Sequence, residues 1–181
     1  MSHVHRTFIG IDPGKKGAIA VITDGHLYEV RCLAEFSCSE LLDFIEGHCG
    51  NKTFINIEKV HSRPLDGRKS VFSFGKGYGK LLAICEIAIS HTPMHPIDEE
   101  GVMKVASGAI VRVPPAVWKK KVLGKGKHDK QDSINKAKEL YPDVNLKRTP
   151  RCRVDDDNMA EAILIAYYGY KLWEEANNEN N

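Results

Sequence analysis

The sequence has 181 residues, 42% of them hydrophobic, which suits one domain with a sizeable buried core. No apolar stretch approaches the ~18–20 residues that a membrane-spanning helix needs. Five cysteines without C-x-x-C spacing indicate a reducing compartment, with cysteines that pack rather than cross-link.

The net charge of +2 is unevenly distributed along the chain. Residues 62–80 hold five basic side chains and one acidic, residues 119–130 hold six and one, and residues 147–153 hold four and none. Such basic clusters indicate a face that binds a polyanion. For each cluster taken alone, an ordinary solvated surface is the alternative.

The chain opens with three predicted strands, over residues 7–11, 17–22 and 27–32. The connections Pro-Gly-Lys-Lys and Thr-Asp-Gly-His carry turn residues, and the second is a D-G hairpin signal. These strands are therefore expected to be antiparallel.

Helices alternate with two more strands in the rest of the chain. Ser39 is predicted to cap a helix that runs to about residue 48. Three glycines predict a weak or late start for a long helix over about 69–90. The other predicted elements are strands 53–58 and 108–113, a short helix opened by Pro114 and Pro115, a helix at 130–140, a loop at 143–153 and a final helix at about 155–174. The order predicts an α/β fold, a mixed five-stranded sheet flanked by helices. It forms one domain of residues 1–176, followed by a disordered tail at 177–181.

Acidic residues stand at the ends of two of these strands. Asp12 ends the first strand and Glu58 the fourth, so parallel neighbouring strands would bring both carboxylates to one sheet edge. Asp157 and Glu161 are four residues apart on the last helix, on the face that continues as an apolar stripe. Converging carboxylates repel each other, and hard divalent cations such as Mg²⁺ or Mn²⁺ relieve that repulsion. The pattern therefore predicts a metal site.

Each acid also has a structural explanation. Asp-Pro-Gly is good turn chemistry, which would account for Asp12. Exposure at a strand end would account for Glu58, and N-capping would account for an aspartate in the run 155–157. It is less expected that all three explanations hold at once than that any one of them holds alone.

Four segments carry a family resemblance: "GIDPGKKGAIAVI", "INIEKVHSRP" followed by "SVFSFGKGYG", "VPPAVWKKKVLGKGKHDK" and "DDDNMAEAILIAYYG". In this order they resemble the phage-type branch of the RuvC family of Holliday-junction resolvases, over nearly the whole chain. The resemblance implies an RNase H-like fold and a homodimer that acts in DNA recombination and repair. It implies Mg²⁺-dependent endonuclease activity, with two ions per site and Mn²⁺ as a substitute. Symmetric nicks in four-way junctions would leave 5′-phosphate and 3′-hydroxyl ends. A phage or viral origin and a cytoplasmic location, in the host if phage-encoded, are also implied.

The same resemblance assigns roles to the acids. Asp12 matches the first catalytic position, Glu58 the second, Asp157 the third and Glu161 the acid four positions further on. Asp12 would bridge two Mg²⁺ ions, Glu58 and Asp157 would each help to hold one, and Glu161 would ligate metal or position water. The family's last motif usually has a glycine after its aspartate, which this chain lacks. The three consecutive aspartates make Asp156 an alternative to Asp157.

Basic and aromatic residues are the predicted DNA contacts. They are His61, Arg63, Arg68, Lys69, Phe72, Phe74, Lys76, Lys119, Lys120, Lys121, Lys125, Lys127 and Lys130. Surface solubility is the alternative for each lysine, and core packing for the phenylalanines. Lys127 resembles a basic residue that the family places before its second-to-last helix, near the scissile phosphate. Residues 94–108 read as an extension without an assigned role.

Other functions are compatible with parts of this pattern. With the same fold, the substrate could be flaps, Y-forks or RNA–DNA hybrids. An actin-like ATP-binding domain shares the first motif, but "GKGYGK" lies in the wrong context for a phosphate loop. A non-catalytic junction-binding module is disfavoured by acids at all four positions.

Overall fold

Five strands form a mixed sheet in the computed structural model, which describes residues 5–50, 52–60, 67–90 and 109–178. The strands are β1 (Arg6–Asp12), β2 (Ala18–Thr23), β3 (His26–Cys32), β4 (Lys52–Glu58) and β5 (Ala109–Val113). The helices are α1 (Cys38–His48), α2 (Arg68–Ser90), α3 (Pro115–Val122), α4 (Lys130–Leu140) and α5 (Asp157–Asn178), with a 3₁₀ turn at Leu33–Glu35.

The strand order across the sheet is β3-β2-β1-β4-β5. The pairs β1–β2 and β2–β3 are antiparallel, whereas β1–β4 and β4–β5 are parallel. This confirms the predicted α/β class, the five-stranded mixed sheet and its antiparallel opening. Because β1 and β4 are parallel neighbours, their carboxyl ends meet at one edge of the sheet.

Helices cover both faces of the sheet, which explains why β1 is apolar along its length rather than alternating. On one face, Ile9 and Ile11 pack with Ile45 of α1 and Ile84 of α2. On the other face, α3, α4 and α5 form a second core around the fully buried Trp118. The sheet edge between these two layers is where the acidic residues lie.

Gly10 allows α5 to lie directly on β1. A Cβ built at this position would be 2.2 Å from the carbonyl oxygen of Ala162 and 2.2 Å from the amide nitrogen of Ala166. These are backbone atoms, which cannot move aside as a flexible side chain would. The close approach brings the first turns of α5 to the end of β1.

Two sequence expectations about helix starts were wrong. The cap of α1 is Ser37, not Ser39: its hydroxyl accepts a hydrogen bond from the backbone N–H of Glu40, whose side chain reaches back to the Ser37 N–H. This reciprocal pair satisfies two helix-end donors. The long helix α2 begins at Arg68 and runs through its three glycines. Burial of its second half, including Ile84 and Cys85, offsets the glycine cost of about 1 kcal/mol each.

The last helix extends beyond its predicted end. Helix α5 continues through Asn178, two residues into the predicted tail, and 179–181 lie outside the described residues. The predicted extension 94–108 also lies outside them, as do residues 61–66. Within the described ranges, no helix is both long and apolar enough to cross a membrane.

Candidate metal centre and nucleic-acid interface

Two acidic side chains lie side by side where β1 and β4 end. The register pairs Ile11 with Ile57. The residues that follow them are Asp12 and Glu58, the last residues of their strands. Pro13 then ends β1, because proline has no N–H to continue the ladder. The two side chains are nearly buried, with 7% of Asp12 and 9% of Glu58 exposed.

Glu161 of α5 completes a group of three carboxylates. It precedes Ala162, whose backbone lies against Gly10 of β1. One carboxylate oxygen from each of Asp12, Glu58 and Glu161 lies within 4.8 Å of the other two. The structure therefore brings together three of the four predicted acids, from two strands and one helix.

Helices α3 and α4 supply hydrogen-bond donors to this group. Trp118 Nε1–H donates to Glu58 Oε1 at 3.0 Å. Lys119 Nζ donates to Glu161 Oε1 at 2.7 Å, and the Ser133 hydroxyl donates to the same oxygen at 3.3 Å. Each of these two glutamates is thus held in orientation by fixed partners.

The electrostatics of the group favour protonation or cation binding. Burial, followed by the charges of Glu58, Glu161 and Asp157, raises the pKa of Asp12 to about 8, although Lys119 opposes the rise. Burial also raises the pKa of Glu58, and the charge of Glu161 adds to it. If all three carboxylates ionise, one ammonium group leaves negative charge uncompensated in a nearly buried site.

The donor set fits a hard divalent cation. The available ligand atoms are carboxylate oxygens from Asp12, Glu58 and Glu161, the chemistry that Mg²⁺ and Mn²⁺ prefer. Their convergence is costly without a positive charge between them, which a divalent ion supplies. These three residues could hold such an ion.

Asp156, the alternative metal ligand, caps α5 instead. Its Oδ1 accepts hydrogen bonds from the backbone N–H groups of Asn158 at 3.0 Å and Met159 at 3.1 Å. Its Oδ2 accepts one from Arg148 Nε at 2.5 Å. Burial alone would raise the pKa of Asp156, but these hydrogen bonds hold it below its usual value. Arg148 also donates to the Lys16 carbonyl, tying the start of α5 to the β1–β2 turn.

Asp157 lies beside the group of three carboxylates rather than within it. Its Oδ2 is 2.6 Å from Lys130 Nζ, and 24% of its side chain is exposed. Its charge nevertheless contributes to the raised pKa of Asp12. Asp155 pairs with Lys138 at 2.5 Å. Of the three consecutive aspartates, Asp157 is the one named among the charges that raise the pKa of Asp12.

The predicted DNA-binding residues fall into three sets. Three lysines form ion pairs: Lys119 with Glu161, Lys121 with Glu175 and Lys130 with Asp157. Exposed residues form the second set, and among them the lysines have no ion pair with another described residue: Lys69, Phe72, Phe74, Lys76, Lys120, Lys125 and Lys127. His61 and Arg63 lie outside the described residues, and only the backbone of Arg68 is described. Phe72 is 76% exposed, so core packing is the wrong explanation for this residue.

Sequence reasoning missed three residues that support the site. Trp118 is fully buried in a lysine-rich helix, and a buried indole N–H needs an acceptor, so its sequence context held a usable signal. Ser133 is also fully buried, on the face of α4 that otherwise carries apolar residues. For Arg148, in an irregular loop, no local pattern indicated a role.

Comparisons with known proteins identify the fold. No protein-family model matches the sequence, and no curated protein matches it either. Among solved structures, the chain is similar to T. thermophilus RuvC in complex with a Holliday junction substrate. The identity is 16% over 96% of this chain and 97% of that chain, with a TM-score of 0.50. A second structure of Thermus thermophilus RuvC has 17% identity over 92% and 96% of the two chains, with a TM-score of 0.46. The first of these likenesses shows that the chain shares the fold of RuvC, as the predicted RNase H-like fold requires.

Proposed function

We propose that this protein is a metal-dependent endonuclease that resolves four-way DNA junctions by hydrolysing phosphodiester bonds. The observation that carries the proposal is the convergence of Asp12, Glu58 and Glu161 at one edge of a RuvC-like sheet. The fold brings the three carboxylates together, and their oxygen atoms are the ligands that a hard divalent cation prefers. The quoted sequence motifs support the narrower assignment to the phage-type branch.

Two divalent ions per site are proposed, held by Asp12, Glu58 and Glu161, with Asp157 as a fourth ligand. When bound, Mg²⁺ or Mn²⁺ would activate water and stabilise the charge on the leaving oxygen. Asp12 must be ionised to take part, and a nearby positive charge would lower its raised pKa.

The other side chains of the site would orient the acids and attract the substrate. The Trp118 indole would keep one Glu58 oxygen in place, leaving the other for ligation. Lys119 would neutralise part of the acidic charge where a phosphate must approach. Exposed lysines such as Lys125 and Lys127 would contact the DNA backbone, which makes binding strongly salt-dependent.

The oligomeric state, the reaction products and the cellular location are also proposals. A homodimer would place two such sites on one junction and cut two symmetry-related strands. The products would be nicks with 5′-phosphate and 3′-hydroxyl ends, suited to ligation in recombination and repair. The proposed location is the cytoplasm, that of the host if the gene is phage-encoded.

Digestion of a synthetic four-way junction tests the proposal. Cleavage should require Mg²⁺ or Mn²⁺, and mapping should show paired cuts at symmetric positions. Asp12→Asn should abolish cleavage and keep junction binding. Faster cutting of flaps, Y-forks or RNA–DNA hybrids would reassign the substrate. Full activity of Asp12→Asn would refute the metal site, and metal-independent binding without any cleavage would indicate a binding module.

A further inference from the structure

A strongly basic loop leads into α5. Residues 147–153 contain Lys147, Arg148, Arg151 and Arg153 and no acidic residue. Three of these, Lys147, Arg151 and Arg153, are exposed, and none of the three forms an ion pair with another described residue. Their positive charges are therefore uncompensated within the part of the chain that the structure describes, and they are open to an anionic ligand.

The basic loop is held in a fixed shape. Leu146, which precedes it, is buried, and its carbonyl accepts a hydrogen bond from the Asp156 backbone N–H at 2.7 Å. Within the loop, the backbone N–H of Cys152 donates to the carbonyl of Thr149 at 3.0 Å. Side chains on a backbone that is already ordered lose less conformational freedom when they bind a ligand. The loop is thus suited to present its cations in a defined arrangement.

Arg148 joins this loop to the turn between β1 and β2. Its Nε donates to Asp156 Oδ2, and its Nη2 donates to the carbonyl of Lys16. The side chains of Lys15 and Lys16 in that turn are exposed, and neither forms an ion pair with another described residue. The exposed cations of the two joined segments, called here the turn–loop surface, are Lys15, Lys16, Lys147, Arg151 and Arg153.

Both segments of the turn–loop surface adjoin the metal centre. The turn begins at the residue after Asp12, the last residue of β1. The loop leads to the start of α5, where Asp156 pairs with Arg148 and the next residue, Asp157, pairs with Lys130 of α4. The start of α5 therefore contacts two basic segments, the loop on one hand and the lysine-rich region of α3 and α4 on the other.

Resting on the proposed function, we propose that the turn–loop surface binds the phosphate backbone of a duplex arm of the junction, next to the cleavage site. Duplex DNA carries one negative charge per about 1.7 Å of its axis, which matches a group of uncompensated cations. Residues 147–153 contain no aromatic residue, so the loop has no ring on which an unpaired base could stack. Contacts to phosphates position the DNA and are independent of its sequence.

Glutamine substitutions that remove charge test this assignment. The loop variant combines Lys147→Gln, Arg151→Gln and Arg153→Gln, and Arg151→Gln is also made alone. Lys52→Gln is the matched control, because it removes one exposed positive charge at the end of β4 opposite to Glu58. Substitutions at exposed positions change stability little, so all variants should fold, which thermal unfolding checks. Affinity for an intact four-way junction is measured in EDTA over a range of salt concentrations.

The expected result is a weaker salt dependence for the variants of the loop alone. The slope of log affinity against log salt should become shallower by about 1 for Arg151→Gln and by about 3 for the loop variant. Lys52→Gln should keep the slope of the wild type. Junctions with single uncharged methylphosphonate linkages then locate the contact. Linkages beside the cut should weaken binding of the wild type and of Lys52→Gln but not of the loop variant, because both changes remove the same interaction.

Three results would overturn the inference. The first is a salt slope of the loop variant equal to that of the wild type. The second is an equal change of slope in Arg151→Gln and Lys52→Gln, which would report net charge alone. The third is a changed oligomeric state of the loop variant in sedimentation with an unchanged slope, which would assign the surface to a contact between copies. If the wild type does not bind the four-way junction, the proposed function itself fails. Normal junction binding with equal slopes refutes only the role of the turn–loop surface.

Discussion

Replacing Asp12 by asparagine should stabilise the metal-free protein at pH 8. Burial and neighbouring negative charges raise the pKa of this carboxyl from 3.8 to about 8 in the folded chain. At a pH between 3.8 and about 8, the Asp12 carboxyl has lost its proton in the unfolded chain but still holds it in the folded chain. The free energy of unfolding therefore falls as the pH rises from about 4 to 8, and it stays level above that.

The magnitude of this stabilisation follows from the raised pKa of Asp12. One pKa unit corresponds to about 1.4 kcal/mol, so the penalty is about 5 kcal/mol at pH 8 and reaches about 6 kcal/mol at higher pH. Asparagine carries no charge, but its buried amide still needs hydrogen-bond partners, which costs about 1–3 kcal/mol. We expect a net gain of about 3 kcal/mol for Asp12→Asn, or about 6–12 °C in the melting temperature of a chain of this size.

The assay is thermal and denaturant unfolding in EDTA at pH 8 and pH 4. The gain should vanish or reverse at pH 4, where the folded chain carries no charge at either side chain and only the cost of the amide remains. Adding Mg²⁺ should stabilise the wild type but not Asp12→Asn. Asp43→Asn, at an exposed position of α1, is the control and should change stability by less than about 0.5 kcal/mol. A gain that is absent, or equal at both pH values, would refute the account of a charge-crowded site.

Three further predictions address support of the site, packing and DNA binding. Trp118→Phe keeps a smaller aromatic ring but loses the donor to the buried carboxylate of β4. It should lower stability by about 1–3 kcal/mol in denaturant unfolding, and a change below about 0.5 kcal/mol would contradict the hydrogen bond. Gly10→Ala drives a methyl group into the α5 backbone and should cost at least about 3 kcal/mol. Gly47→Ala, with open space around it, should instead stabilise by about 0.5–1 kcal/mol, and equal effects of the two would refute the close packing. Replacing Lys125 and Lys127 by alanine should reduce the slope of log affinity against log salt by about 2, and an unchanged slope would remove both from the phosphate contacts.

Several elements could be predicted closely because their signals are local. The first three strands are apolar runs bounded by turn residues, and the structure places each within a residue or so of its predicted limits. Asp12 and Glu58 stood out because each ends an apolar strand. The cap of α1 has a local signal as well, since Ser37 and Glu40 have capping-box spacing, which the prediction of Ser39 overlooks.

Other features depended on contacts that no local pattern contains. The three glycines of α2 weaken a helix in isolation, and only packing against the sheet makes it continuous. The three consecutive aspartates are chemically identical, so the sequence alone does not distinguish their roles. Arg148 and the α5 backbone hold Asp156, whereas Lys130 from α4 pairs with Asp157.

The sequence by itself determined the α/β class, the antiparallel opening and the presence of acids at strand ends, because turn chemistry and hydrophobic patterning act over a few residues. Tertiary structure decided which carboxylates meet and what holds them. Parallel pairing of β1 with β4 joins Asp12 to Glu58, and close packing of α5 on Gly10 adds Glu161. The raised pKa of Asp12 has the same origin, since burial and the crowding of charges exist only once distant segments are folded together.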